Sequence, residues 1–569
     1  MRALSLLVLT SLLFSHRPSD SQVTDRVSGW RTDIDSLVQR IDNGHPNPWA
    51  HRSRSAFLAE AIALRDSVPQ LTDGRVLTGI MRLVASIGDG HTGVIDIGPA
   101  AATTWFPVRF TLFADGLWVT AIDSAHAWVA GKRIATIGGQ SADDAVRRIL
   151  SLAQGDNIFN RRQHTAVLSN GVILNALGLA RRPDTLAFEV FGANGRAEFV
   201  KLAAAKASTS LGWEQWGEMF GPPSLKVVTA FPRPGRNYLD PEANPDLPLH
   251  MRGRRAYWWT YLPESRTLYF QLNSISARSQ HTKASLLETW SAALASGDLQ
   301  SRPVDRFVLD LRYNSGGDGS LVPKLMRGII KRDSILAQPG RFFVVTSGKT
   351  FSAAAGFVAE LLEYMEPILV GEPPGAGLNS SGDAGSVKLP YSGVVVSVST
   401  RYTQSGPAHD TSGIIPVNVP VAMRGVDYFA RQDPALDAIL SEPVPYPNVI
   451  VVLRDSGGPA ARALWEKMRS RYRGASVWVP WRWEDLNSAA FQLLESGRAA
   501  DAITGFEINT ERYADRWETW DSLGEVYLKA GRKAEALESY QHALRLDPHN
   551  WNAAEQTRIV ADIRLSKTP

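Results

Sequence analysis

The chain reads as a multidomain α/β protein with a helical tail. Three observations carry that reading. Its 569 residues exceed what one hydrophobic core organises. Residues 258–430 alternate strand-like and helix-like segments. Residues 489–540 repeat one helical pattern at a fixed period. The composition, 44% hydrophobic and 21% charged, is that of folded globular domains. A net charge of +4 with scattered Lys and Arg argues against nucleic-acid binding. The absence of cysteine excludes disulfides, thiolate catalysis and cysteine-ligated metals.

The elements follow in order. Residues 1–25 read as a secretory signal: Met1-Arg2 precedes the apolar ALSLLVLTSLLF of Ala3 to Phe14, too short to span a bilayer. Cleavage is expected between residues 15 and 25, and the mature protein in the periplasm or outside the cell. Residues 26–105 predict a helical lobe, from apolar spacing over Phe57 to Leu64 and Val76 to Ile87. Residues 106–205 predict a β-rich unit, with strands at Phe106–Phe113, Leu117–Ile122, Arg133–Ile137 and Thr185–Val190. Residues 206–257 form a polar, proline-studded joint. Residues 258–430 are the α/β core, 431–481 a connector and 482–569 a helical tail.

The core holds the candidate chemistry. Phe342 to Val345 reads as a buried strand, and Ala353 to Leu362 as an amphipathic helix. Ser352 lies at their junction, where unpaired helix N–H groups stabilise the charge of a tetrahedral acyl-transfer intermediate. The segment lacks G-x-S-x-G, so it is not an α/β-hydrolase elbow, and helix capping by Ser352 is the plainer alternative. NSGGDG at 314–319 follows the strand Phe307 to Leu311. It fits neither a P-loop nor a dinucleotide fingerprint, but its bare backbone suits an oxyanion.

DLRYNSGGDG at 310–319 resembles the Asp-Leu-Arg-x-Asn-x-Gly-Gly segment of the S41 peptidases, the C-terminal processing or tail-specific family. TFSAAAGFVAELLEYMEPILVGEPPGAGLNSSGD at 350–383 resembles their nucleophile segment. DTSGIIPVNVPV at 410–421 resembles their closing pattern, with Asp410 for the usual acid and Val417 for the usual Asp. SIGDGHTGV at 86–94 is similar to the Asp-x-His-Thr/Ser turn of the tricorn-like and retinoid-binding-protein-like members. The resemblance implies an S41-type, ClpP/crotonase-like α/β core with serine peptidase chemistry and no cofactor or metal.

Within that family one arrangement pairs the serine with a lysine about 25 residues on, and GEPPGAGLNSSG has none there. The other is a Ser-His-acid triad. The resemblance therefore implies Ser352 as nucleophile, His91 as base and Asp410 as orienting acid. Asp383 is the alternative acid, and His409 the competing histidine. Backbone N–H groups of Ala353 and of Gly316 or Gly317 would hold the oxyanion. His45 and His51 suggest metal ligands by proximity, but no acidic pair follows. A fold that keeps only protein binding, or an esterase, stays open beside the peptidase.

Two further resemblances bear on partners. GKRIATIGGQSADDAVRRIL at 131–150 is similar to the PDZ pattern, which binds chain ends at a sheet edge. AAFQLLESGRAADAITGF at 489–506 and LGEVYLKAGRKAEALESY at 523–540 resemble tetratricopeptide (TPR) repeats, with Gly497 and Gly531 one repeat apart. Polypeptide substrate and a protein partner at the tail are the expected contacts, without a membrane span after signal cleavage.

Overall fold

The computed structural model describes residues 20–206, 227–229, 245–252, 255–278, 284–297, 303–331 and 338–565. The apolar leader and most of the 206–257 joint lie outside the described residues.

Helices Asp20–Gly44, Arg54–Ser67 and Asp73–Ala85 build the N-terminal lobe. Ser53 and Thr72 cap the second and third by accepting the N–H groups of Ala56 and Arg75. Trp30, Ile34, Leu37 and Ile41 pack with Phe57, Val76, Ile80 and Val84. The lobe is not wholly helical. Strand Gly93–Asp96 leaves it and pairs antiparallel with Val395–Val398, which pairs in turn with Gly385–Lys388. That small sheet carries the turn bearing His91 into the α/β domain.

The middle domain is β-rich. Val108–Phe113 and Gly116–Asp123 form a hairpin, and a four-stranded sheet runs Gln140–Ser141, Ile134–Ile137, Thr185–Phe191, Ala197–Ala203. Helix Ala142–Leu150 follows the Gly138-Gly139 turn. At Gly138, φ is +60° and a Cβ would fall 2.1 Å from the Leu179 carbonyl oxygen, so only glycine fits.

The α/β domain centres on six strands in the order Tyr257–Leu262, Thr267–Leu272, Arg306–Asp310, Phe342–Thr346, Ile368–Gly371, Val419–Pro420. The first pair is antiparallel and the rest are parallel. Side chains alternate between two faces. Phe270, Phe307, Leu309 and Val344 face helices Leu286–Gly297, Val322–Ile330 and Ala353–Tyr364 through Trp290, Leu325 and Phe357. Tyr269, Val308, Phe343 and Val345 face the other way, onto Leu436, Ile439 and Leu453. Sheets covered on both faces have the continuous apolar strands seen here.

The connector is therefore a structural layer. Helices Pro434–Ser441, Val449–Ser456 and Gly458–Arg471 belong to the core that covers the second face. Val417 is fully buried and its backbone pairs with Val477 and Val479. Its side chain lies in the first-face core with Ile415 and Leu369, where an Asp would place an unpaired charge, which accounts for valine.

The tail adds Trp483–Glu495, Ala499–Arg512, Trp517–Lys529, Lys533–Leu546 and Trp551–Leu565. Gly497 and Gly531 turn equivalent helix pairs with φ of +82° and +76°. Gly505 lets its helix approach Ala490 and Leu453, the latter from the connector. Tail, connector and sheet thus share one core. Deleting 482–569 should therefore lower the unfolding temperature by several degrees while leaving the serine loop in place. Calorimetry of the truncated chain checks this; an unchanged midpoint would mean that the shared core contributes nothing.

Candidate active site

Ser352 stands between strand Phe342–Thr346 and helix Ala353–Tyr364. Its φ of +53° and ψ of −130° make it a strained junction, and it caps nothing with its side chain. Such a conformation costs a non-glycine residue on the order of 1–3 kcal/mol and persists only where neighbours enforce it. Here they do. Ser347 Oγ donates to the Arg312 carbonyl at 2.5 Å and Thr350 Oγ1 to the Leu311 carbonyl at 2.8 Å. Phe351 N–H donates to the Asn314 carbonyl at 3.0 Å. The serine loop is laced to the glycine turn.

Gly316 makes that fit possible. A Cβ on it would lie 2.7 Å from Ser352 Cβ and 3.1 Å from Ala353 N. Its N–H, however, donates to Asn314 Oδ1 at 2.9 Å. Gly316 is thus a spacer and not a free donor, a correction to its expected oxyanion role. Among the described residues nothing accepts the N–H groups of Gly317 and Ala353.

His91 and Ser352 meet. His91 Nε2 lies 2.9 Å from Ser352 Oγ, although the residues are 261 apart in sequence. Phe351 stacks on the imidazole with centroids 4.4 Å apart. Burial lowers the His91 pKa from the usual histidine value, opposed by the charges of Asp89 and Asp383 and by the Ser381 backbone. A neutral ring at pH 7 follows, as a general base requires.

The turn that carries His91 is built on Asp89. His91 N–H donates to Asp89 Oδ1 at 2.8 Å, and Thr92 Oγ1 and Ser399 Oγ donate to Oδ2 at 2.6 and 2.5 Å. His45 Nε2 completes the set at 2.9 Å, while its Nδ1 accepts the Asn47 N–H. Burial alone would raise the Asp89 pKa; these donors instead hold it at about 2. His45 therefore serves the turn and not a metal with His51. Among the described residues no group of three or more His, Asp or Glu side chains is placed to hold a metal ion.

The expected orienting acid is elsewhere. Asp410 Oδ1 accepts the N–H and Oγ of Ser412, and no hydrogen bond joins it to His91. His91 Nδ1 is buried without a well-formed hydrogen bond, with the Ser381–Gly382 backbone passing that edge. Asp383 is largely exposed and pairs with Arg401 at 3.1 Å. His409 is exposed. The structure thus assembles a serine–histidine pair, with the Ser381 backbone and, among the described residues, no carboxylate at the third position.

Sequence reading missed the segment 155–160. Asn157 Nδ2 donates to the Pro374 and Gly413 carbonyls at 2.9 and 2.7 Å, and Asn160 Nδ2 to the Gly348 carbonyl at 3.2 Å. The β-rich domain thereby touches three loops around the site. Its short run has no periodicity to reveal this.

Comparison with solved structures follows the same lines. The fold is similar to that of a CPAF point mutant, with a TM-score of 0.50 at 9% identity over 73% of this chain and 96% of that one. Mature CPAF complexed with lactacystin gives 0.48 at 9% identity over 73% and 97%. A Bacteroides fragilis NCTC 9343 protein assigned to the S41 proteases gives 0.27 at 14% identity over 68% and 88%. These identities speak for fold alone. Residues 517–550 match the tetratricopeptide repeat model. No curated protein matches the chain by sequence.

Proposed function

We propose that the chain is a serine-type peptidase of the S41 kind, acting on exported polypeptides through an acyl-enzyme. The observation that carries this reading is the 2.9 Å contact between His91 Nε2 and Ser352 Oγ. Ser352 Oγ attacks the scissile carbonyl carbon as His91 Nε2 takes its proton. The oxyanion lies on the N–H groups of Ala353 and Gly317. His91 then protonates the leaving amine. Water, activated by the same imidazole, releases the acyl group and restores Ser352.

Labelling with a fluorophosphonate probe, with the modified residue located by mass spectrometry, tests the reading. Ser352 should carry the label. Label on another residue would sink the Ser352 assignment; no label together with no peptide cleavage would favour a protein-binding module on the same fold. The absence of a carboxylate at His91 Nδ1 among the described residues is the observation that favours that second reading.

Two outcomes refine the mechanism. Because the Asp410 carboxylate is turned to Ser412, Asp410→Asn should slow labelling by less than about tenfold, against about 10⁴ for the same change in a closed triad. A loss near 10⁴ would mean that Asp410 reaches Nδ1 in the working state. Because burial lowers the His91 pKa, the labelling rate should rise through a midpoint below the ordinary histidine value. A pH profile whose rising limb has its midpoint above 7 contradicts the buried, neutral base.

Export rests on the leader at residues 3–14. The β-rich domain, as a PDZ-like unit, would present chain ends to the site, and the TPR-like tail would engage a protein partner.

A further inference from the structure

Residues 155–160 intrude between the histidine turn and the loops of the α/β domain. Asp156 lies at the point of contact. The Gly90 N–H donates to its Oδ1 at 2.6 Å. Its Oδ2 is buried and meets no hydrogen-bond partner. A Cβ on Gly413 would fall 2.8 Å from the Asp156 carbonyl oxygen, so the backbone is gripped from the other side as well. Asn157 fixes the next residue to Pro374 and Gly413. A carboxyl group placed so firmly, with one oxygen on the residue before His91, is built to hold that turn.

We propose that Asp156 is a positioning residue for His91, its Oδ1 fixing the Gly90 backbone and thereby the imidazole that meets Ser352. The proposal rests on the reading of His91 and Ser352 as a proton relay. It gives the site an acid that acts through the main chain, where Asp410 makes no contact with the ring.

The protonation state follows from the surroundings. Burial raises the Asp156 pKa to about 8, the charge of Asp89 pushes the same way, and the Gly90 N–H and Arg161 oppose both. Asp89 from the histidine turn and Arg161 from its own segment are the charged groups that act on it; the Pro374 and Gly413 loops contribute backbone carbonyls to the neighbouring Asn157. Asp156 is thus mainly protonated at pH 7. Ionisation above about pH 8 creates a second buried charge near Asp89, with no donor for Oδ2. The segment must then open to water, and the Gly90 contact loosens.

Asp156→Asn keeps an Oδ1 acceptor and cannot ionise, whereas Asp156→Ala removes the acceptor. The full chain and both variants are labelled with a fluorophosphonate probe from about pH 6 to about pH 9.5, and the His91 ring is titrated by NMR. The parent rate should fall above about pH 8, and the Asn variant should hold its rate there. The Ala variant should label at least about tenfold more slowly at pH 7, since small misplacements of reacting groups cost up to about a hundredfold. Its His91 titration should also shift. A folded Ala variant with the parent's rate and His91 titration overturns the proposal. So does an Asn variant that repeats the parent's decline at high pH, which decides the matter if the Ala variant does not fold. A parent chain that takes no label refutes the relay; the His91 titration then decides the positioning role, and equality between parent and Ala variant overturns it.

Discussion

Ser352→Ala should abolish covalent labelling, and His91→Gln should slow it by on the order of 10⁴ or more. Losses of this size follow when nucleophile and base act as one unit. The Ser352 hydroxyl is the only side-chain atom removed, and its loop is held by Ser347 and Thr350, not by Ser352 itself. His91→Gln leaves the backbone bond to Asp89 intact, so the turn survives while the proton acceptor is lost. Circular dichroism of both variants should match the parent. A His91→Gln chain that labels within tenfold of the parent would mean that the 2.9 Å contact is structural. Ser352→Ala loses no helix cap, because Ser352 makes none.

Much of this site was legible in the sequence. Ser352 was marked by its place between an apolar strand and an amphipathic helix, and His91 by the Asp-Gly-His-Thr turn. Their pairing was implied by the family resemblance, since nothing local joins residues 261 apart. Asp410 was read from its place in a motif, but a carboxylate's direction depends on its own loop. Here Ser412 two residues on supplies two donors, and the acid turns to them. Gly316 was read correctly as a turn residue, yet which N–H stays free depends on Asn314, whose side chain reaches back to take one of them. The connector's helices are hard to read from sequence because VIVVL at 449–453 has the β-branched composition of a strand. Asn448 Oδ1 accepts the Ile450 N–H and starts a helix instead, and burial of Val449 and Leu453 in the shared core overrides propensity. Asp156 and Asn157 gave no signal, since their partners lie in distant loops.

Arg312→Met should destabilise the chain by about 3–5 kcal/mol, the usual cost of breaking a buried ion pair from one side. Arg312 is buried just past the end of strand Arg306–Asp310, beside Asp310 and Asp433. Its guanidinium meets both Asp433 oxygens at 2.7 and 3.1 Å and Asp310 Oδ1 at 3.0 Å. Tyr269 donates its hydroxyl to Asp310 Oδ2 at 2.6 Å. Burial alone would raise the Asp433 pKa, but the Arg312 charge overrides it and holds the carboxyl below its usual value. Without the guanidinium, two carboxylates remain in the interior with no cation beside them. Tyr269 still serves Asp310, but among the described residues Asp433 keeps only the Leu436 N–H. Removing one of those charges should help: Arg312→Met with Asp433→Leu should recover part of the loss, as buried pairs replaced by apolar groups often do. The effect should also reach the chemistry. The carbonyls of Leu311 and Arg312 accept the bonds that hold Thr350 and Ser347. Labelling of Ser352 in the single variant should therefore fall along with its urea midpoint, and recover with it in the double variant. A single variant with the parent's midpoint would show that the network contributes nothing net to folding, and the strained serine would need another source of restraint.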